Sequence, residues 1–193
     1  MSENDYNSDE SIGSCEGDPP FTDPANYFKN LGLEYFLEAP LDMLYRHSQL
    51  KNECLAYDNP KAHYIEGLLQ YFQCRKFIKG LTHLRQSADR GYDNGIYICG
   101  ILMLCRGDFA EGKEYIDKLS WKTNQDRSPQ CLTTIKTSLR SIKVILKTRY
   151  LANTARMEPV TECYQHDMDS ACEDCYYFKK MNEFIDYIRT KKP

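Results

Sequence analysis

Close to its C-terminus the chain reads "CYQHDMDSACEDC", which spaces Cys163, His166, Cys172 and Cys175 as C-x2-H-x5-C-x2-C. Each x2 pair can form a tight knuckle that turns two donors toward one ion, and four such donors complete a tetrahedral zinc site. Such a zinc leaves no coordination position open, so it would hold structure rather than catalyse. A second reading makes Cys172 and Cys175 packing residues at the start of the helix "CYYFKKMNEFIDYI", with His166 exposed. The short x5 loop and the neighbouring Asp167, Asp169 and Glu173 speak for that reading. A redox role for Cys172 and Cys175 would require a surrounding βαβ pattern, which the sequence lacks.

Nucleophilic catalysis would need a cysteine and a histidine to meet. No local signature marks Cys74, Cys99 or Cys105 as activated, and His47, His63 and His83 read as ordinary helix residues without a role. The glycines are spaced for helix packing and build no phosphate loop. The residues therefore predict a chain that is not an enzyme.

Cations supply the remaining chemistry. Between Arg127 and Arg156 there are seven bases (Arg127, Lys136, Arg140, Lys143, Lys147, Arg149, Arg156) and no acid. Lys136, Arg140, Lys143 and Lys147 follow helical spacing and would share one face. Clustered cations can neutralise phosphates. A pI near 5.8 and the lack of a nucleic-acid motif favour instead an acidic peptide, or the chain's own acidic arm.

These residues need a scaffold, and a repeat provides it. Shifted by 33 residues, "AHYIEGLLQYFQC" lies over "GIYICGILMLCRG", so that Tyr64 meets Tyr97, Gly67 meets Gly100 and Leu69 meets Leu102. With one deletion near Arg75, "FIKGLTHL" lies over "FAEGKEYI", and Gly80 meets Gly112. A period near 33 with two helical stretches per unit is the mark of a helical-hairpin solenoid. Glycine costs a helix about 1 kcal/mol relative to alanine, so Gly67 and Gly100 read as positions of close backbone approach.

Punctuation agrees with two hairpins. Asp58 or Asn59 caps a helix with Pro60 in its first turn, Gly91 follows a helix over 77–90, and Arg106 to Asp108 make a turn. Flanking helices must cover the ends: one over 41–57, and one long basic helix over 128–155 capped by Ser128 with Pro129 at its first position.

The apolar run at 96–105 is too short to span a bilayer, and seven acids with no Lys or Arg between Met1 and Phe28 exclude a signal peptide. That stretch reads as a disordered arm. The odd count of nine cysteines, most in helical patterns, fits reduced and buried thiols in a cytoplasmic or nuclear protein.

The segments "KAHYIEGLLQYF", "GLTHLRQSADRGYDNGIYICGILMLCRG", "EGKEYIDKLSW", "IKTSLRSIKV" and "CEDCYYFKKMNEFI" resemble the C-terminal region of a group of plant F-box proteins with a short TPR-like or Sel1-like repeat. That resemblance runs over roughly residues 40–190. It implies an α-helical repeat that recruits a target to a cullin-type ubiquitin ligase through a separate F-box. Met1 to Asp23 has neither the length nor the Leu-Pro pattern of an F-box, and Asn26 to Tyr57 is too short for one, so the chain corresponds to the target-binding half.

The sequence thus predicts an all-α protein: an acidic arm over 1–25, a short helical-hairpin repeat with capping helices over 26–156, and a Cys-rich appendix over 157–193. Its expected role is to bind protein through a groove containing Tyr64, Tyr71 and Tyr97, with Lys136, Arg140, Lys143 and Lys147 as contacts. A zinc-stabilised appendix that makes the contact itself is the alternative.

Overall fold

The computed structural model describes residues 23–159 and 172–191, and these form helices and connections without a strand. Most of the expected acidic arm lies outside the described residues. At the N-terminal end are four short helices, α1 (Pro24–Asn30), α2 (Glu34–Glu38), α3 (Pro40–Tyr45) and α4 (Ser48–Ala56). The single helix expected over 41–57 is therefore two. The N–H groups of Arg46 and His47 both donate to the Asp42 carbonyl, which closes α3 and lets α4 start in a new direction.

Asn59 joins this block to the repeat. Its side-chain oxygen accepts from the N–H groups of Lys61 and Ala62, capping α5 (Pro60–Leu68), while its amide donates to the carbonyls of Phe28 and Leu31. A buried asparagine with all these partners fixes where α1 meets α5.

Two hairpins follow, α5 with α6 (Phe77–Asp89) and α7 (Asp93–Arg106) with α8 (Phe109–Asp117). Their glycines make matching contacts within each hairpin. A Cβ on Gly67 would lie 2.6 Å from Leu84, and one on Gly100 would lie 2.8 Å from Ile116, the equivalent residue. On the return helices, Gly80 faces Tyr71 and Gly112 faces Leu104, again equivalent positions.

The extra residue of the first unit has a visible form. Residues Leu69–Gln73 continue α5 as a π-turn, with the Cys74 N–H donating to Leu69. An inserted residue inside a helix is absorbed in this way. Both helices then end on a left-handed residue, Arg75 at φ 57° and Gly107 at φ 95°.

Helix α7 is the centre of the molecule. Every residue from Gly95 to Cys105 is buried, and α6, α8, α9 (Arg127–Ser138), α10 (Thr148–Met157) and α11 (Glu173–Thr190) all pack against it. A helix that is apolar all round must be covered all round.

The long basic helix expected over 128–155 is broken. Helix α9 ends at Ser138, an irregular connection runs to Lys147, and α10 starts at Thr148. The β-branched residues Ile142, Val144 and Ile145 weaken the helix there. The Lys191 ammonium bonds the freed carbonyls of Leu139 and Ile142. Ser128 does not cap α9, whose first residue is Arg127; it is buried and accepts from the Tyr176 hydroxyl at 2.8 Å.

Candidate functional site

The three tyrosines expected to line an open groove are in the core. Tyr64 and Tyr97 are 0% exposed and Tyr71 is 1% exposed. They do lie on the inner face of the repeat, but the chain's own C-terminal helices occupy that face. The Tyr64 hydroxyl donates to Ser138 at the end of α9 (3.1 Å), and the hydroxyls of Tyr71 and Tyr150 of α10 lie 2.6 Å apart. Helix α11 adds Tyr177, Met181, Phe184 and Ile188 to the same core. Asn153 of α10 donates to the Cys105 carbonyl at the exit of α7 (3.0 Å), meeting a helix-end acceptor. A peptide can reach neither Tyr64 nor Tyr97, and Tyr71 meets the outside only as one wall of a cleft beside α10.

With the inner face filled, the outer surface is what the fold leaves open, and charge there is unevenly distributed. Several cations have carboxylate partners: Arg85 with Glu111 at 2.8 Å, Arg127 with Asp93 at 2.6 Å, Arg90 with Asp58 at 2.5 Å and Lys113 with Asp174 at 2.7 Å. Among the described residues, Lys29, Arg75, Lys76, Lys79, Lys179 and Lys191 pair with no carboxylate, and neither does any base of the run Lys136, Arg140, Lys143, Lys147, Arg149 and Arg156.

The break between α9 and α10 also dissolves the expected single stripe. Lys136 is exposed in the last turn of α9, Arg140 and Lys143 are exposed on the connection, and Lys147 is half-buried at the N-cap of α10. The Lys147 ammonium lies 3.3 Å from the centre of the Phe77 ring, 4.9 Å from Tyr71 and 5.5 Å from Tyr150. Burial, then the charges of Arg149 and Arg106, lower its pKa to about 8. Arg75 and Ile145 complete this cleft. The repeat alignment set Cys74 over the second unit's turn glycine and placed its one deletion near Arg75, and neither it nor any local pattern at Ile145 and Tyr150 signals this cleft.

At the other candidate site, Cys172 caps α11, and its sulfur lies 3.3 Å from that of Cys175, whose N–H donates to it at 3.4 Å. Cys163 and His166 lie outside the described residues. No three His, Cys, Asp or Glu side chains among the described residues group to hold a metal. Cys54, Cys99, Cys105 and Cys131 are free and buried. Burial pushes the thiols of Cys99 and Cys131 up to about 12, so they are poor nucleophiles.

Sequence reasoning passed over one histidine pair. The Nδ1 atoms of His63 and His83 lie 3.0 Å apart, and His63 Nε2 lies 3.3 Å from Asp58. Lys51 and Glu66 form an ion pair beside them at 2.9 Å, and Arg90 and Lys79 also face the pair. Burial lowers both imidazole pKa values below 6.5; in His83 the charge of His63 adds to this. The unfolded chain then binds protons more readily than the folded one, so stability falls as pH drops through 6.5. Urea midpoints measured from pH 8 to pH 5 should decrease over that window, and His83→Gln should flatten the dependence.

Among the described residues, no helix is long and apolar enough to cross a membrane. A family model described as plant tetratrico peptide repeats matches residues 38–141. An F-box protein of Arabidopsis thaliana is 34% identical over 110 residues, covering 57% of this chain and 67% of that protein. No solved structure matches the chain. Both hairpins, from Pro60 to Asp117, fall inside the matched span, and the chain belongs to the family of plant tetratrico peptide repeats, with a repeat region like that of a plant F-box protein.

Proposed function

We propose that the chain is a non-catalytic protein-interaction module that holds an acidic segment of a target protein, as the target-binding half of a cullin-type ubiquitin ligase receptor would. The observation that carries this is that, among the described residues, no base from Lys136 to Arg156 has a carboxylate partner, Lys136, Arg140, Lys143 and Lys147 included, while Arg85, Arg90, Lys113 and Arg127 are paired. Exposed charges of one sign steer and orient a partner of the other. Family membership and the F-box relative support a protein partner.

Capture from plant extract with the full chain, beside a Lys136→Glu, Arg140→Glu, Lys143→Glu variant, tests the reading. All three positions are exposed, so the variant should fold. A target should be retained by the parent chain, lost from the variant, and released by about 0.5 M salt, where the Debye length shrinks to a few ångströms. Identical protein sets on both would contradict the reading. The F-box-binding adaptor and a cullin co-purifying would support the ligase link, and their consistent absence beside a retained target would remove it.

The Cys172–Cys175 sulfur contact favours a second reading, in which zinc stabilises the appendix. Elemental analysis should then find one zinc per chain, lost together with thermal stability in Cys172→Ser. Metal-free protein of unchanged stability would leave the two cysteines as packing residues.

A further inference from the structure

We infer that the cleft at Lys147 is a socket for one large apolar side chain of an acidic peptide bound in trans; this rests on the acidic-partner reading and gives it a specificity determinant. The socket has a volume of about 220 Å³ and is walled by Tyr71, Phe72, Phe77, Ile145 and Tyr150, with Arg75 and Lys147 completing the lining. Pockets for whole small ligands run from about 300 Å³ upward. This one is the size of a single bulky side chain.

Its walls come from separate parts of the chain that are locked together. Tyr71 and Tyr150 are joined by their hydroxyls at 2.6 Å, and the Tyr71 backbone is pressed against Gly80. A preformed socket spares a ligand the ordering cost of building it. The apolar lining reaches solvent through Ile145, which is 46% exposed.

The charge at the socket selects the peptide. Arg75 and Lys147 both lack a carboxylate partner among the described residues, and no acid lines the cleft. In place of an anion, the Lys147 ammonium rests on the Phe77, Tyr71 and Tyr150 rings. A peptide that puts a phenylalanine or leucine into the socket brings its flanking carboxylates to these two cations. The ring then buries its area while each cation gains a partner. A single strand of nucleic acid would bring charge and a base to stack, but the polar edge of a base would be left largely unpaired in this lining, where the Tyr71 and Tyr150 hydroxyls already bond each other, so the lining favours an apolar side chain.

The test uses fluorescence anisotropy on the full chain with two labelled acidic dodecapeptides, identical except for a central phenylalanine or serine. Burying one phenylalanine should make the first bind about tenfold more tightly or better. Ile145→Glu should erase that preference, and Arg75→Glu should weaken the phenylalanine peptide by about tenfold through loss of a charged contact. Both positions are exposed, and circular dichroism verifies that the variants fold.

Equal affinity for the two peptides, with binding still lost in the Lys136→Glu, Arg140→Glu, Lys143→Glu variant, would overturn the socket and leave the acidic-partner reading standing. Binding by neither peptide would overturn both. Tighter binding of a peptide of residues 1–22 would give the socket to the chain's own arm, and displacement of the phenylalanine peptide by a uridine oligonucleotide would give it to nucleic acid. Either result overturns a peptide partner in trans.

Discussion

Replacing Phe184 by alanine should destabilise the whole molecule by about 3–5 kcal/mol, the range for emptying a fully buried aromatic site. Phe184 is 0% exposed and sits on α11 in the same core as α7. The protein carries its own reporter, because its single tryptophan, Trp121, stacks on Tyr176 of α11 with ring centres 3.9 Å apart. Unfolding followed by tryptophan fluorescence should therefore coincide with unfolding followed by circular dichroism, both at a lower urea concentration than in the parent. If α11 were only an appendix, fluorescence would shift alone and the helical signal of the repeat would stay in place.

Gly80→Ala should also destabilise the molecule, although it adds only one methyl group. The new Cβ would lie 2.6 Å from the Tyr71 nitrogen and 2.7 Å from its Cα, and backbone cannot move aside as a side-chain tip can. Overpacking of this kind costs about 3 kcal/mol, of which roughly 1 kcal/mol is returned by the better helix propensity of alanine. A net loss of about 2 kcal/mol should appear in urea denaturation. Thr82→Ala on the exposed face of the same helix is the control, and it should be neutral or slightly stabilising. A Gly80→Ala chain as stable as that control would mean that the hairpin crossing is looser than described.

Both hairpins could be read in the sequence because their signals are local. Matched glycines, Pro60 after Asn59, and the turn at Gly107 each act over a few residues, and all survive in the fold. The single deletion near Arg75 was also legible, although its form as a π-turn was not. What stayed hidden depends on contacts between distant residues. Ile135, Leu139, Ile142 and Leu146 keep helical spacing, so the β-branched Ile142, Val144 and Ile145 mark the break after Ser138 only weakly; Lys191, far along the chain, holds the carbonyls that the break exposes. Tyr71 meets Tyr150 across 79 positions. The fate of the groove tyrosines therefore turned on whether α9 to α11 fold back over them. One clue was present: the run from Gly95 to Cys105 has no polar side except the Tyr97 hydroxyl, and so leaves no face for an open groove.

The central claim is that the inner face of this repeat is closed by the chain's own C-terminal helices, which is why the proposed binding site lies on the outer surface. Hydrogen exchange of the intact protein, read segment by segment, tests this most directly. If α11 closes the core, amides of Met181 to Ile188 should exchange as slowly as those of Ile98 to Leu104 in α7, since both open only when the whole molecule unfolds. Exchange of the α11 segment within seconds, while α7 stays protected, would contradict closure and return Tyr64 and Tyr97 to an accessible groove.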